Sequence, residues 1–327
     1  MATVFGAVTE PLYDAVRVAR MYYYQERTTQ EIADELGLSR SKVSRLLKLA
    51  KLRGLVEIRI VDPNTQASSL EHTIQTHFGV PEVHVVDVPE MAGEQVWLER
   101  VATVAAAYLN TLMRDEAILA VAWGTTISAI SERLNAKPLK DVQVVQLNGS
   151  GNTHDAGLRY TAEILRHFSA AYGATTHPFP VPTFFDFSET KQALWLERSV
   201  KRILDLQTQA DIFLYSIGAF EAGVPSRVYT GDYLEPGDLA ELRREGVVGD
   251  VATVFFRADG SYRDVPINAR ASGPDLGLFR RAKHAVCVVS GRGKVAGLRA
   301  ALAGGYLKQL IIDEPTARLL CAGLGSD

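Results

Sequence analysis

Two cysteines in 327 residues, Cys287 and Cys321, are too few for a disulfide scaffold, and neither stands at metal-ligand spacing. They read as two reduced thiols. No uninterrupted apolar run approaches the roughly 20 residues that span a bilayer, and the N-terminus shows no basic region followed by a hydrophobic one. A cytoplasmic protein without a membrane partner is therefore expected. No internal repeat or low-complexity tract is present, and with 47% hydrophobic and 22% charged residues the chain is neither disordered nor fibrous. A phosphate-loop NTPase would need Gly five positions before Gly293 and Ser or Thr after Lys294, where this chain has Val288 and Val295. The run Gly291-x-Gly293-x-x-Ala296, with Asp313 twenty residues past Gly293, imitates a dinucleotide fingerprint. It does so poorly, on the last two strands and with Lys294 inside it. No cofactor or metal is expected.

What is there begins with charge. The whole chain carries a net −3, which by itself speaks against nucleic acid. Residues 1–61, however, hold ten Lys/Arg against seven Asp/Glu, and residues 37–61 hold seven basic residues against one acid. The remainder is net −6. A small basic arm on an acidic body implies an anionic partner for the arm and a different task for the body. Asp62-Pro63-Asn64-Thr65 breaks both helical and strand periodicity. The expected domains are 1–62 and 63–327.

In the arm, Leu12 to Tyr24 has helical apolar spacing. Thr28 can cap a second helix with Glu31 completing a capping box, and Gly37 can end it in a left-handed turn. Ser39 then caps a third helix with Val43, Leu46, Leu47 and Ala50 on one face and a basic, hydroxyl-rich face opposite. Two helices joined by a Gly-containing turn, the second basic at its N-terminal end, form a helix-turn-helix with its recognition helix aimed at the major groove of duplex DNA. Arg45 and Arg40 suit guanine edges; Lys42, Lys48, Ser39, Ser41 and Ser44 suit phosphates. Thr29 and Gln30, at the start of the second helix, complete the candidate DNA-binding set. Gly54 to Val61 alternates like a strand, a wing closing the arm, with Arg59 outward.

In the body strands alternate with helical stretches, as in a mostly parallel sheet flanked by helices. Helices are expected over residues 70–78, 95–113, 126–134, 156–171, 189–207 and 298–302, and strands over 82–88, 117–122, 142–147, 212–217, 285–289 and 310–312. Ligands of such sheets bind beyond the carboxyl ends of the strands. Four glycine-bearing loops follow strands there: Trp123-Gly124-Thr125-Thr126, Asn148-Gly149-Ser150-Gly151-Asn152, Gly218-Ala219-Phe220 and Ser290-Gly291-Arg292-Gly293-Lys294. Gly124, Thr125 and Thr126 open a helix, where free amides and two hydroxyls suit a phosphate. Lys294 opens another, where an ammonium pairs with phosphate or, desolvated, attacks a carbonyl. Taken singly, each loop also serves as a packing turn.

The order Thr29-Gln30-Glu31-Ile32-Ala33, Leu38 to Arg45, Gly54-Leu55-Val56, Trp123 to Thr126, Val144 to Gly149, Ala210-Asp211 to Gly218, Gly246 to Asp250, Gly293-Lys294 and Leu310 to Glu314 resembles the SorC family of bacterial sugar-responsive transcriptional regulators. The resemblance covers residues 12 to 321. It implies a winged helix-turn-helix domain joined to a Rossmann-like, doubly wound α/β effector domain similar to ribose-5-phosphate isomerase and glucosamine-6-phosphate deaminase folds, in a dimer or tetramer. It further implies a sugar or sugar-phosphate effector held by Gly124, Thr125, Thr126 and Lys294, with Asn148, Gly149, Gly218 and Asp250 beside it. Arg292 is an addition to the family's usual glycine turn, favouring an anionic ligand or facing solvent. His154, Arg159 and His177 lie in stretches that would set specificity. The expected function is regulation of carbohydrate catabolism, with operator affinity controlled by the effector and no enzymatic activity. The rival is a sugar-phosphate isomerase or aldolase using Lys294, disfavoured because the glycine loops hold no carboxylate pair and no His beside a carboxylate. Asp250 then reads as a ligand acceptor and Asp313 as a helix cap.

Overall fold

A computed structural model describes residues 10–53, 55–56, 66–152, 158–220, 222–224, 226–230 and 233–324. The chain divides into two compact units, Met1–Val61 and Asp62–Asp327.

The first unit contains α1 (Glu10–Tyr23), α2 (Thr29–Leu36) and α3 (Arg40–Leu52). Thr28 caps α2 through the amide of Glu31, whose carboxylate returns to the Thr28 amide, closing the capping box. Gly37 ends α2 at φ 64°, a left-handed conformation a side chain would strain. Ser39 Oγ accepts from the Lys42 amide and starts α3. Ala15, Val18, Ile32, Val43 and Ala50 are fully buried where the three helices meet. Truncating Ile32 to Ala would cost about 2–5 kcal/mol by transfer and cavity terms. The wing expected over Gly54–Val61 lies outside the described residues except at Leu55 and Val56, as does the Asp62–Thr65 break.

The second unit is built on β1 (Glu82–Val86), β2 (Ile118–Val121), β3 (Gln143–Gln146), β4 (Thr175–His177), β5 (Ile212–Tyr215), β9 (His284–Val289) and β10 (Gln309–Asp313), ordered β1-β10-β9-β5-β2-β3-β4 with every pair parallel. Both faces are covered, so central strands are apolar throughout: Ile212, Leu214, Val286 and Val288 belong to one buried cluster, and Phe213, Tyr215, Ala285, Cys287 and Val289 to the other. On the first face pack α5 (Glu94–Leu112), α6 (Thr125–Ser131) and α7 (Leu158–Tyr172), through residues such as Val101, Ile127 and Phe168. On the second pack α4 (Gln66–Phe78), α9 (Arg198–Thr208), α12 (Gly277–Arg281), α13 (Val295–Ala303) and α14 (Glu314–Cys321), through Ile74, Ile203, Phe279, Leu298 and Leu320. The chain leaves β2 outward to β3 and later returns through β5 on its other side, so the order reverses between β2 and β5. That is where an open α/β sheet offers a crevice.

A second sheet joins β6 (Ile217–Gly218), β7 (Val247–Val251) and β8 (Val254–Arg257) antiparallel. Two expectations are corrected here. The strand expected through Ile217 ends at Tyr215, because Ser216 turns the chain and Ile217 pairs with Val251 in this second sheet. The single helix expected over residues 189–207 is two, α8 (Ser188–Trp195) and α9, with Glu197 extended between them. Val200, Ile203 and Gln207 of α9 are buried, whereas no residue of α8 is. Burial against the sheet sets the direction of α9, whereas α8 only rests the half-buried Leu194 and Trp195 against the same core. The short helix α10 (Arg227–Thr230) and α11 (Pro236–Arg244) complete the unit.

Candidate functional site

At the reversal point lies a cavity of about 50 Å³. Its lining comes from the loop after β2 (Gly124, Thr125, Thr126), from Asn148 after β3, from Ser216 and Gly218 after β5, from Asp250, Ala252 and Thr253 of the β7–β8 hairpin, from Ser226 and Arg227 of α10 and its approach, and from Lys294. Seven of the eight expected effector residues are thus brought together. Gly149 is not among the lining residues. Its amide donates to Ser272 Oγ and its carbonyl accepts from Trp123 Nε1 and Thr183 Oγ1, so it ties the Asn148 loop to the neighbouring segment.

Lys294 is 5% exposed, and its ammonium donates to Thr126 Oγ1 and Ser216 Oγ at 3.3 Å each. Burial pulls its pKa below the usual lysine value, opposed by Cys287, Asp250, Asp313 and Glu94 acting through space. The loop carrying it is fixed by Asp313, which is fully buried. One carboxylate oxygen accepts from the Gly291 amide and the other caps α14 through Thr316 N. The helix-cap reading of Asp313 therefore holds. Arg292 is turned away, its side chain over the Trp97 ring with Glu90 3.5 Å off.

Asp250 is 4% exposed. Its Oδ1 accepts from the Tyr229 hydroxyl at 2.9 Å and its Oδ2 from the Thr253 amide at 3.0 Å. Burial pushes its pKa up to about 6, against the lowering effects of those two bonds and of Lys294. A buried ammonium and a buried carboxylate thus share one cavity with two hydroxyls and an amide. Such an arrangement can hydrogen-bond and charge-pair a polyhydroxy or phosphorylated molecule. Ser216, Arg227, Tyr229 and Thr253 were absent from the expected set. The strand expected through Ile217 hid Ser216, which the strand-end rule reaches only because β5 ends at Tyr215; nothing local marks Tyr229. Of the three residues named for specificity, His177 is 6% exposed, bonded to Gln143 Oε1, and held below its usual pKa by burial and Arg202. His154 and the side chain of Arg159 lie outside the described residues.

In the first unit, Gln30, Ser39, Arg40, Ser41, Lys42, Ser44, Arg45 and Lys48 are all exposed and Thr29 half-buried. Arg40 Nε donates to Thr29 Oγ1, and Arg45 Nε to the Ser41 carbonyl one turn back, which lays both guanidinium groups along the open face of α3. This is the surface a recognition helix offers to a groove.

Residues 62–322 match the family described as "Putative sugar-binding domain", and residues 17–53 match region 4 of sigma-70. The deoxyribonucleoside regulator of Bacillus subtilis is 34% identical over 308 residues, 94% of this chain and 96% of that protein. The chain belongs to the SorC family of sugar-responsive transcriptional regulators. The sorbitol operon regulator of Klebsiella pneumoniae is 26% identical over 93% of this chain and 96% of its own length. A solved domain of a possible sugar-binding transcriptional regulator from Arthrobacter aurescens superposes with a TM-score of 0.74 at 45% identity, covering 80% of this chain and all of that one. Full-length SorC from Klebsiella pneumoniae, 23% identical, shares the fold with a TM-score of 0.70 over 95% of this chain and 99% of that one. In this SorC-family chain a helix-turn-helix unit thus precedes a parallel-sheet effector domain. Among the described residues no helix is long and apolar enough to cross a membrane.

Proposed function

We propose that this regulator binds operator DNA through α3 and releases or tightens it when a sugar or sugar phosphate occupies the cavity beside Lys294. The observation that carries the reading is a lysine 5% exposed whose ammonium is held by two hydroxyls in a cavity also lined by Asn148, Gly218 and Asp250. Keeping a charge there is costly unless something is gained from it. An anionic or hydroxyl oxygen of the effector takes the ammonium's remaining N–H, with the Gly124-Thr125-Thr126 turn beside it. The division of labour follows the sequence reading: residues 1–62 contact DNA, and residues 63–327 bind effector and form the dimer or tetramer. In a two-fold assembly the effector acts by changing how two arms are paired, with about 1–3 kcal/mol of coupling between the two kinds of site. The protein acts in the cytoplasm and is not an enzyme.

The test is a mobility-shift titration of the protein–operator complex with ribose 5-phosphate, glucose 6-phosphate, ribose and sorbitol. At least one should change operator affinity 5- to 100-fold, the range that coupling allows; no change with any of them defeats the reading. The alternative, an isomerase or aldolase using Lys294, is favoured by the buried Asp250 carboxyl near the same cavity. Turnover of pentose or hexose phosphates that disappears in Lys294→Ala would establish it instead.

A further inference from the structure

Beyond β3 and β4 a second cavity opens, of about 710 Å³, within the roughly 300–1,000 Å³ usual for small-molecule sites. None of its lining residues lines the cavity beside Lys294. The two meet across a pair of rings: Trp123 lines the first and Tyr233 the second, with centroids 5.1 Å apart. The walls of the second are mostly apolar, among them Val181, Phe184, Phe185, Phe187 and Leu194. Phe184 already stacks on Phe255 at 5.8 Å, and Phe185 meets Trp195 edge-on at 5.7 Å. Phe187 is 67% exposed and meets no other ring among the described residues. A free aromatic face at the mouth of a cavity is apolar surface left in water, and a planar ligand removes it.

The polar part of the lining has one sign in excess. Asp186, Glu235 and Asp238 stand against a single cation, Arg270. That cation is used within the wall, because Arg270 pairs with Asp238 and its Nη1 donates to the Phe185 carbonyl at 3.3 Å. Asp186 has no ion-pair partner among the described residues. An entering anion therefore faces carboxylates, whereas a cation on an aromatic frame pairs with Asp186 and lies against Phe187. We propose that this cavity is a second ligand site, for a planar aromatic molecule carrying a positively charged amine. It differs from the effector cavity in place and in charge preference, and it stands whether or not the effector reading does. The first cavity, at about 50 Å³, has no room for a bicyclic ring. The Tyr233 hydroxyl donates to the Ser150 carbonyl at 3.2 Å and Trp123 Nε1 to the Gly149 carbonyl at 2.8 Å. A ligand pressed on Tyr233 thus bears on the loop that follows β3.

Isothermal titration of the full chain with tryptamine, tryptophol and indole-3-acetate compares one ring bearing a cationic, a neutral and an anionic tail. Tryptamine should bind with a dissociation constant below about 1 mM, and indole-3-acetate about tenfold or more weakly. Phe187→Ala should weaken tryptamine and tryptophol alike by about fivefold. Asp186→Asn should weaken tryptamine about threefold and leave tryptophol unchanged. Both positions are exposed, so the unliganded variants should melt within a few degrees of wild type. No binding of tryptamine up to about 10 mM, equal binding of all three compounds, or binding that survives Phe187→Ala intact overturns the proposal. Sedimentation of wild type and Phe187→Ala covers the remaining occupant: a variant that falls to a smaller assembly makes this face a contact between copies of the chain, and the proposal is overturned there too. No readout involves a sugar, so the result is independent of the operator titration.

Discussion

Gly218 and Asp250 are cross-strand partners in the β6–β7 ladder, and the Asp250 carboxylate occupies the space that a Cβ on Gly218 would need. The glycine thereby lets a buried acid lie flat against its neighbour, with Tyr229 on one oxygen and Thr253 N on the other. Gly218→Ala should swing the carboxylate out of this position and break the Tyr229 bond. Overpacking of this kind costs about 1–3 kcal/mol, visible as a lower urea midpoint, and effector affinity by titration should fall at least tenfold. A variant that melts lower yet binds effector as wild type does would detach Asp250 from the site.

Asp250 also makes stability depend on pH. Its folded pKa, pushed up to about 6, lies above the ordinary aspartate value of 3.8. The folded state therefore holds a proton that the unfolded state has released between those values, and stability from this group falls as pH rises from about 4 to 6. Above pH 6 both states are ionised and the cost stays constant at about 3 kcal/mol, taking 1.36 kcal/mol per unit. Asp250→Asn removes the titration. Urea melts should show the variant gaining on wild type from pH 4 to 6 and holding a constant lead above. A difference independent of pH would place the raised pKa elsewhere.

Ala252 and Thr253 form the two-residue turn of the β7–β8 hairpin with φ of 47° and 68°, a region that usually calls for glycine or asparagine. Non-glycine residues held there cost about 1–3 kcal/mol each. Ala252→Gly relieves one of them against an unfolded-state entropy penalty of about 0.4–1 kcal/mol. The expected net is a gain of roughly 0.5–1 kcal/mol in the urea midpoint. Because both residues line the cavity, effector affinity should fall in the same variant as the hairpin loosens. A less stable variant would mean that the turn is not strained.

That hairpin also shows where sequence stops being readable. The arm was legible because every boundary has a local chemical cause: the Thr28–Glu31 box, Gly37 at positive φ, and Ser39 on the Lys42 amide. Six of the seven parallel strands were legible, the central ones because burial on both faces leaves apolar runs; β4 at the edge, Thr175-Thr176-His177, has no such run and was missed. The β7–β8 hairpin was not legible either, since its two central positions are Ala252 and Thr253 rather than glycine or asparagine, and the bond from the Thr253 amide to the Asp250 carboxylate is its local support. The break at Leu196–Glu197 likewise has no Gly or Pro to announce it. For the site, Gly124, Thr126, Asn148 and Lys294 could be found from strand ends. Tyr229 could not, because its link to Asp250 spans 21 residues and lies on a helix of one turn.

Arg45 is exposed on α3, with its Nε on the Ser41 carbonyl 3.3 Å away, which leaves the outer nitrogens of the guanidinium able to form a bidentate pair with a guanine edge. The side chain takes no part in the core formed by Val43, Leu46, Leu47 and Ala50. Arg45→Ala should therefore leave thermal stability within about 0.5 kcal/mol of wild type, as for other surface changes. If the residue reads a base, operator affinity falls by about 1–3 kcal/mol while affinity for random duplex barely changes, so the ratio of the two collapses at one position of the site. A phosphate contact behaves differently: both affinities fall together, and the slope of log affinity against log salt shrinks by about one. Fluorescence anisotropy on both duplexes between about 50 and 200 mM salt separates the two roles. Equal losses with a reduced slope would move Arg45 from reading the sequence to holding the backbone.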